Sequence, residues 1–304
     1  SADGLVWRAD SRGLYGSIDD AGTRRVWELP LKGKPRPVTG AGDVTGLALS
    51  RGRNPVLVGL RESFLTPPTL VRIDPKKGST TAIESRNRER LAAIDSGRYE
   101  SVRYAGANGA SIQMWVNYPA NFDAAKRWPV ILLLHGGPHN GITDAYSWRW
   151  NAQLFAARGY VVAWHNFHGS SGFGQAFTDS INPKQDALPY EDTIKAAQWL
   201  AAQPWADGER MVAAGGSYGG YLASILLGRE HPFKALVAHA AVYNWYTQIG
   251  SDFGFSKSRF PEFWEDPSIF QQSSPHFGAG NFKTPTLVVH GQQDLTGRVS
   301  DLRQ

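Results

Sequence analysis

Cysteine is absent from the 304 residues, so disulfide bonds and thiolate metal sites are excluded. The apolar run at residues 130–134 is far shorter than the roughly 20 residues that a membrane-spanning helix needs. The net charge of +5 is spread along the chain without a block of Lys or Arg. We therefore expect neither nucleic acid nor a membrane as a partner. With 41% apolar residues, the chain is long enough for about two domains with buried cores.

Residues 1 to about 85 contain short strand patterns separated by polar turns, in two weak copies. The copies are spaced by roughly 40 to 45 residues, which is typical of β-propeller blades. Since a propeller closes with about four to eight blades, two blades imply further sequence upstream. We expect residues 1–95 to be the last blades of a propeller. An ordinary antiparallel sheet is the alternative.

The pattern changes after a charged linker at residues 86–90. Strands are still predicted at 104–107 and 112–118, and from Pro129 onward apolar strands alternate with amphipathic helices. The later predicted strands are residues 130–134, 160–164, 211–214, 235–238 and 286–289. A helix is predicted around Tyr190 and Ala201 by apolar residues at helical spacing. Residues 96–304 are therefore predicted to form an α/β domain, a mostly parallel doubly wound sheet with ligands bound beyond the carboxyl ends of its strands.

The segment around Ser217 joins a predicted strand to a predicted helix through a Gly-x-Ser-x-Gly sequence. A serine at the apex of so sharp a turn needs small neighbours. Gly215 and Gly219 supply that room, and Gly220 lets the helix approach the sheet. The Ser217 hydroxyl would lie at the positive end of a helix, where a developing anion is stabilised. The pattern predicts a nucleophilic serine, and a glycine-rich connection without chemistry is the alternative.

Two other strand ends carry groups that serine chemistry requires. The His-Gly-Gly-Pro turn at residues 135–138 would direct a backbone N–H toward the nucleophile and, with the N–H of Tyr218, form an oxyanion hole. A plain strand-ending turn is the alternative. Asp294 follows the strand at 286–289, and its place downstream of the serine suits the triad acid. A turn-capping aspartate is the alternative there.

Six segments spread over residues 135–291 carry a family resemblance. They are 135–138 (HGGP), 166–174 (NFHGSSGFG), 189–192 (PYED), 215–220 (GGSYGG), 274–276 (SPH) and 282–291 (FKTPTLVVHG). In these segments the chain resembles the prolyl oligopeptidase family of serine peptidases, and most closely its dipeptidyl-peptidase 5 and acylaminoacyl-peptidase branches. The resemblance implies an α/β-hydrolase domain behind a propeller that filters substrates to short peptides.

The resemblance also implies roles for single residues. Those placed in the reaction are Ser217 as nucleophile, Asp294 as acid, and Gly137 with Tyr218 as oxyanion-hole donors. Val242 and Trp245 look like the apolar pocket for the residue before the scissile bond. A periplasmic or secreted location is implied as well. Because the site is built on serine and the chain has no Cys, no metal or organic cofactor is expected.

The predicted triad is incomplete in these 304 residues, because no histidine follows His290. In the chain order Ser, acid, His, the base belongs some way beyond Asp294. We therefore expect a fragment truncated at both ends, and expect it to be inactive as it stands for lack of the catalytic histidine.

Three other interpretations remain open. An esterase on the same fold would use the same elbow and oxyanion hole. A catalytically incomplete fragment would only bind peptides or a partner. A metal site is the third, since four imidazoles follow two strands, although a Gly-Gly-Pro turn does not hold helical i, i+4 geometry. Those imidazoles are His135, His139, His165 and His168.

Overall fold

A computed structural model describes residues 2–84, 86–251 and 260–294. Within these ranges, fifteen strands form two sheets, one of eight strands and one of seven. The first sheet contains β1 Ala2–Trp7, β2 Gly13–Asp20, β3 Thr23–Pro30, β4 Arg36–Pro37, β5 Asp43–Leu49, β6 Leu57–Ser63, β7 Thr66–Ile73 and β8 Thr80–Ala82.

The first sheet is made of two antiparallel sets of four strands, β1–β4 and β5–β8. A single parallel pairing, between Arg24 and Asp43, joins the two sets. Apolar side chains from both sets share one small core, in which Val26, Val44 and Ile73 are almost fully buried. The sequence repeat therefore corresponds to two four-stranded units.

The second sheet contains β9 Tyr99–Ala105, β10 Ser111–Asn117, β11 Trp128–Leu134, β12 Val161–His165, β13 Ala206–Gly216, β14 Ala235–His239 and β15 Thr286–Val289. Their order is β15-β14-β13-β11-β12-β10-β9. The five strands from β15 to β12 are parallel, while β10 and β9 pair antiparallel. The predicted mostly parallel sheet is confirmed. The strand predicted at 104–107 ends at Ala105, because Ala107–Gly109 forms a 3₁₀ turn.

Seven α-helices lie in the described ranges: α1 Arg88–Ala92, α2 Ala152–Ala156, α3 Gln175–Asp179, α4 Ala187–Ala201, α5 Tyr218–Leu227, α6 Trp245–Ile249 and α7 Pro267–Ser273. The predicted helix is α4, which buries Ala196, Ala197 and Leu200. Helices α4 and α5 pack into one core and α2 into another, so both faces of the sheet are covered. None of the described helices has the length and apolar character that crossing a bilayer demands.

The two sheets meet through an aromatic contact. Phe64, in the turn between β6 and β7, is buried in the core beneath α2. Its ring packs edge-to-face on Tyr99 at 5.2 Å and on Trp115 at 5.7 Å, measured between ring centroids. The first sheet ends at Ala82 and the second begins at Tyr99. The division into domains at residues 1–95 and 96–304 falls between them and stays a proposal.

Candidate active site

Ser217 lies alone between the end of β13 at Gly216 and the start of α5 at Tyr218. Its backbone has φ 57° and ψ −121°, a left-handed conformation that costs energy for a residue with a side chain. Its N–H donates to His239 O at 2.9 Å, which fixes the turn against β14. Ser217 is exposed although its neighbours on both sides are buried. The fold therefore presents this one hydroxyl to solvent at a strained turn.

Glycine is required on both sides of the serine. A Cβ at Gly219 would lie 2.0 Å from the carbonyl oxygen of Leu134, and one at Gly215 would lie 2.4 Å from the backbone of Gly219. Backbone atoms cannot yield as a flexible side chain does, so any larger residue would push α5 off the sheet. These contacts explain the Gly-x-Ser-x-Gly sequence.

The turn after β11 lies directly beside the serine. The Cβ position of Gly136 is 3.4 Å from Ser217 Cβ and 3.9 Å from Ser217 Oγ. The next residue, Gly137, has φ +124°, which side chains rarely adopt. Tyr218 is the first residue of α5, and its buried hydroxyl donates to the backbone oxygen of Gln185. The two predicted oxyanion donors thus belong to the two segments that flank Ser217, and their role stays a prediction.

Two histidines near this turn are buried and neutral. Burial lowers the pKa of His135 to about 4. Burial, together with the nearby His135, lowers the pKa of His165 to about 3. The His135 ring stacks on Phe167 with centroids 4.0 Å apart, and its Nε2 lies 2.9 Å from Ser170 Oγ. His165 Nδ1 lies 2.8 Å from the Tyr104 hydroxyl. Both rings therefore serve as packed, hydrogen-bonded supports.

The other two members of the histidine set have partners of their own. His168 Nδ1 lies 2.7 Å from Asp192 Oδ2, and His139 Nδ1 lies 3.2 Å from the backbone oxygen of Gly169. In the ranges that the structure describes, no group of three or more His, Asp or Glu side chains is placed to hold a metal ion. The geometry of the four imidazoles therefore gives the metal interpretation no support.

Asp294 follows β15 at the same edge of the sheet as the serine. Strand β14 lies between β13 and β15, and the N–H of Ala240 donates to Val289 O at 2.8 Å. Asp294 Oδ2 lies 3.4 Å from Nε2 of His290, whose side chain is buried, while the Asp294 side chain is 26% exposed. The topology is that expected of a triad acid. Its role stays a prediction.

The predicted apolar pocket lies beyond β14. Trp245 begins α6, is 4% exposed, and packs edge-to-face on Tyr221 with centroids 5.4 Å apart. Its indole N–H donates to the backbone oxygen of Ser273 at 3.0 Å. Val242 is half-buried against the same core. Core packing thus accounts for Trp245 by itself, and the assignment of both residues to a substrate pocket stays a prediction.

Asp192 links helix α4 to two loops near the site, and no sequence pattern predicted a role for this residue. It is fully buried on α4 and accepts hydrogen bonds from the N–H groups of Ala107 and His168, both at 2.7 Å. It thereby ties the loop at 166–174 and the turn after β9 to one helix. The sequence held a signal for this, because Asp192 shares the buried helix face of Ala196 and Leu200. A carboxylate at such a position needs internal partners.

These features define the class of protein. An exposed serine at a strained strand-to-helix turn, above the carboxyl edge of a parallel sheet and with an aspartate two strands away, is typical of an α/β-hydrolase. The sequence profile of the prolyl oligopeptidase family matches residues 146–299, about half of the chain. The chain belongs to the prolyl oligopeptidase family.

Several curated proteins are similar to this chain. Dipeptidyl-peptidase 5 of Porphyromonas gingivalis is 33% identical over 97% of this chain and 44% of its own length. Dipeptidyl-peptidase 5 of Porphyromonas endodontalis is 35% identical over 88% of this chain and 40% of its own length. The chain thus spans less than half the length of these relatives. They confirm the resemblance inferred from the six sequence segments.

Solved structures show the same fold. An acylaminoacyl peptidase of Pyrococcus horikoshii superimposes with a TM-score of 0.86 at 22% identity, over 99% of this chain and 48% of that one. Dipeptidyl peptidase 4 of Porphyromonas gingivalis gives a TM-score of 0.83 at 22% identity, over 100% of this chain and 43% of that one. The predicted α/β-hydrolase fold preceded by partial propeller blades is confirmed.

Proposed function

We propose that this chain is the catalytic part of a serine peptidase that cleaves short peptides through an acyl-enzyme. One observation carries the proposal: Ser217 is exposed at φ 57° while the glycine-rich turn around it is buried. A strained serine held in this way has no packing role that would justify its cost. The names of the relatives, dipeptidyl-peptidase 5 and acylaminoacyl peptidase, support a substrate that is a peptide.

In the proposed reaction, Ser217 Oγ attacks the carbonyl carbon of the scissile bond while a histidine accepts the hydroxyl proton. The carbonyl oxygen becomes an oxyanion, which the N–H groups of Gly137 and Tyr218 stabilise. Collapse of this intermediate transfers the proton from the histidine to the leaving amine. Water then repeats the sequence on the acyl-enzyme and releases the second product.

We assign Asp294 to orient that histidine, which we place C-terminal to Asp294 in the complete protein. His239 lies beside Ser217 at the sheet edge, since its backbone oxygen accepts from the serine N–H. Its ring, however, packs edge-to-face on Trp150 with centroids 5.9 Å apart. His239 also precedes the acid along the chain, contrary to the order of the fold. It therefore does not replace the downstream base in this proposal.

The nucleophile is tested by covalent labelling of the full-length protein. We expect a fluorophosphonate to modify Ser217 stoichiometrically and to stop hydrolysis, because it reacts with activated serines. The Ser217→Ala protein should lose the label and at least about 10⁴-fold in turnover. Ser180→Ala is the matched control, since Ser180 is an exposed serine that donates to Phe177 O within the same domain. Labelling that persists in Ser217→Ala would overturn the assignment.

The choice of peptide over ester is tested separately. Peptide amides and simple esters carrying the same acyl group are compared at equal enzyme concentration. We expect clear turnover of the amide, although slower than that of the ester, because in a peptidase the leaving amine is protonated by the catalytic histidine. Ester cleavage without amide cleavage would support the esterase interpretation instead.

A further inference from the structure

A cavity of about 350 Å³ lies beside the nucleophile, between the first sheet and the carboxyl edge of the second. Gly136 and Gly216 line its base. Gly136 is the residue whose Cβ position lies 3.9 Å from Ser217 Oγ, and Gly216 immediately precedes the serine. A molecule bound in this cavity would therefore lie next to the reactive hydroxyl.

The first sheet contributes one carboxylate and one guanidinium to the cavity wall, those of Asp19 and Arg24. Asp19 Oδ1 is 2.8 Å from Arg24 Nε, and its other oxygen accepts from Ser171 Oγ at 3.1 Å. The Asp19 side chain is only 6% exposed. Because these two charges are paired at short range, they cancel, and Asp19 is not free to bind a cationic ligand.

Arg149 adds a further positive charge to the same cavity. Arg149 is exposed to solvent. Within residues 2–84, 86–251 and 260–294, its guanidinium has no ion pair and no hydrogen bond. Among the described residues that line the cavity, Asp19 is the only carboxylate. Once the Asp19–Arg24 pair is set aside, Arg149 is the one remaining Arg, Lys, Asp or Glu among the described residues that line the cavity.

The segment that carries Arg149 is anchored on both sides. The backbone N–H of Trp150 donates to Ser147 Oγ at 2.9 Å. The Trp150 ring stacks on Phe155 with centroids 6.4 Å apart and meets His239 edge-to-face. Because the next residue is held in this way, the position of the Arg149 backbone relative to the cavity is fixed.

We propose that Arg149 binds a carboxylate of the peptide substrate, and so selects peptides that carry a negative charge close to the scissile bond. The proposal rests on the proposed peptidase function of Ser217. A guanidinium matches the geometry of a carboxylate with two parallel hydrogen bonds, and the paired acid opposite leaves no competing anion. Peptides supply carboxylates from two sources, the free C-terminus and the side chains of Asp and Glu.

The test compares two matched pairs of substrates on the full-length enzyme. One pair differs only in a free or amidated C-terminus, and the other only in Glu or Gln at one position. We expect Arg149→Gln to lower kcat/KM for the charged member of one pair by about tenfold, the effect of a lost hydrogen bond to a charged group. The neutral member should change little. The pair that responds identifies the source of the carboxylate.

Arg158→Gln is the matched control. Arg158 is an exposed arginine just beyond α2, and it does not line the cavity. The same change of charge there should leave both kcat/KM ratios as they are in the parent enzyme. An equal fall for charged and neutral substrates in Arg149→Gln, unchanged ratios in both pairs, or the same shift in Arg158→Gln would overturn the proposal.

A binding measurement separates this inference from the proposed function. The Ser217→Ala protein is titrated by calorimetry with the same peptides, which it should bind without cleaving them. We expect the charged peptide to bind about tenfold more weakly after Arg149→Gln is added. If no substrate is cleaved by the parent enzyme but this difference in Kd appears, the peptidase function fails and the carboxylate site stands. Equal Kd values for charged and neutral peptides would overturn the site.

Discussion

At the scale of single residues, the glycines around Ser217 have the clearest physical requirement. A Cβ at Gly219 would overlap Leu134 O at 2.0 Å, between two backbone segments that are both buried. Gly280 offers the opposite case, because a Cβ there would meet no atom within 4 Å. The two positions therefore form a matched pair for the same substitution.

We expect Gly219→Ala to lower the free energy of unfolding by about 3 kcal/mol, since α5 must move away from the sheet to admit the methyl group. Reaction with the fluorophosphonate should fall as well, because that movement displaces Ser217. Gly280→Ala should change stability by less than about 1 kcal/mol. Urea unfolding curves of the full-length variants measure both effects. A Gly219→Ala protein as stable as Gly280→Ala would show that the turn is not as tightly packed as described.

At the scale of the elements, Asp192 connects α4 to two loops. Its carboxylate is fully buried and accepts from Ala107 N and His168 N, both at 2.7 Å. Glu191 is its neighbour on the same helix, with a side chain 46% exposed that lies 3.7 Å from Lys195. The same change from acid to amide can therefore be compared at a buried and an exposed position.

We expect Asp192→Asn to cost about 3 kcal/mol of unfolding free energy, because an amide nitrogen would replace an oxygen that accepts a buried hydrogen bond. Glu191→Gln should cost less than about 0.5 kcal/mol, the usual worth of an exposed helix pair. Thermal melts at pH 7 make the comparison. Equal Tm values for the two variants would contradict the role given to Asp192.

The helices and strands also show which parts of the fold were predictable from sequence patterns. Helix α4 and the parallel strands were predictable, because burial on one or both faces leaves a period in the sequence. The end of β9 was not. The strand predicted to reach Ala107 stops at Ala105, since the Ala107 N–H donates to Asp192, which lies 85 residues further along the chain. Contacts of this kind arise only when the chain has folded.

Part of the candidate site was likewise predictable from the sequence, and part was not. Ser217 and its glycines were predictable from local sequence, because the strained turn imposes its own residue types. The cavity with Arg149 was not, since its walls come from segments more than 100 residues apart, such as those of Asp19 and Arg149. Nothing in the sequence near Arg149 distinguishes it from an ordinary surface arginine.

At the scale of the whole molecule, the junction of the two sheets holds a group of acids. Asp43 is fully buried and accepts from Thr143 Oγ1 at 2.5 Å, and Asp144 follows in the same segment. Glu62 accepts from the N–H of Tyr146 at 3.1 Å. Burial raises the pKa of Asp43 and of Glu62. Asp43 and Glu62 join strands of the first sheet to the segment before α2, and Asp144 joins that segment to Tyr99 of the second sheet. The charge of the junction therefore depends on pH.

Asp144 is the member of this group with the largest expected effect. Burial, followed by repulsion from Asp43, raises the pKa of Asp144 to about 6 from an ordinary value of 3.8. Its Oδ2 accepts from the Tyr99 hydroxyl at 3.2 Å. Among the described residues, Oδ1 has no hydrogen-bond partner. The hydrogen bond from Tyr99 and the charge of Arg61 only partly offset these effects on the pKa.

The sign of the pH dependence follows from the raised pKa. Between about pH 4 and pH 6 the unfolded chain releases the Asp144 proton while the folded protein keeps it, so the free energy of unfolding falls as pH rises through this window. Above pH 6 the full cost remains, up to about 3 kcal/mol for a shift of about two pKa units.

We expect Asp144→Asn to remove this cost, because an amide carries no charge and can still accept from Tyr99. The variant should therefore be more stable than the parent protein at pH 8 and of similar stability at pH 4. Asp95→Asn, at an exposed aspartate between the two sheets, should leave the profile unchanged. Urea midpoints of the full-length proteins are measured from pH 4 to pH 8. An Asp144→Asn protein that keeps the parent slope between pH 4 and pH 6 would show that Asp144 is not the source of this pH dependence.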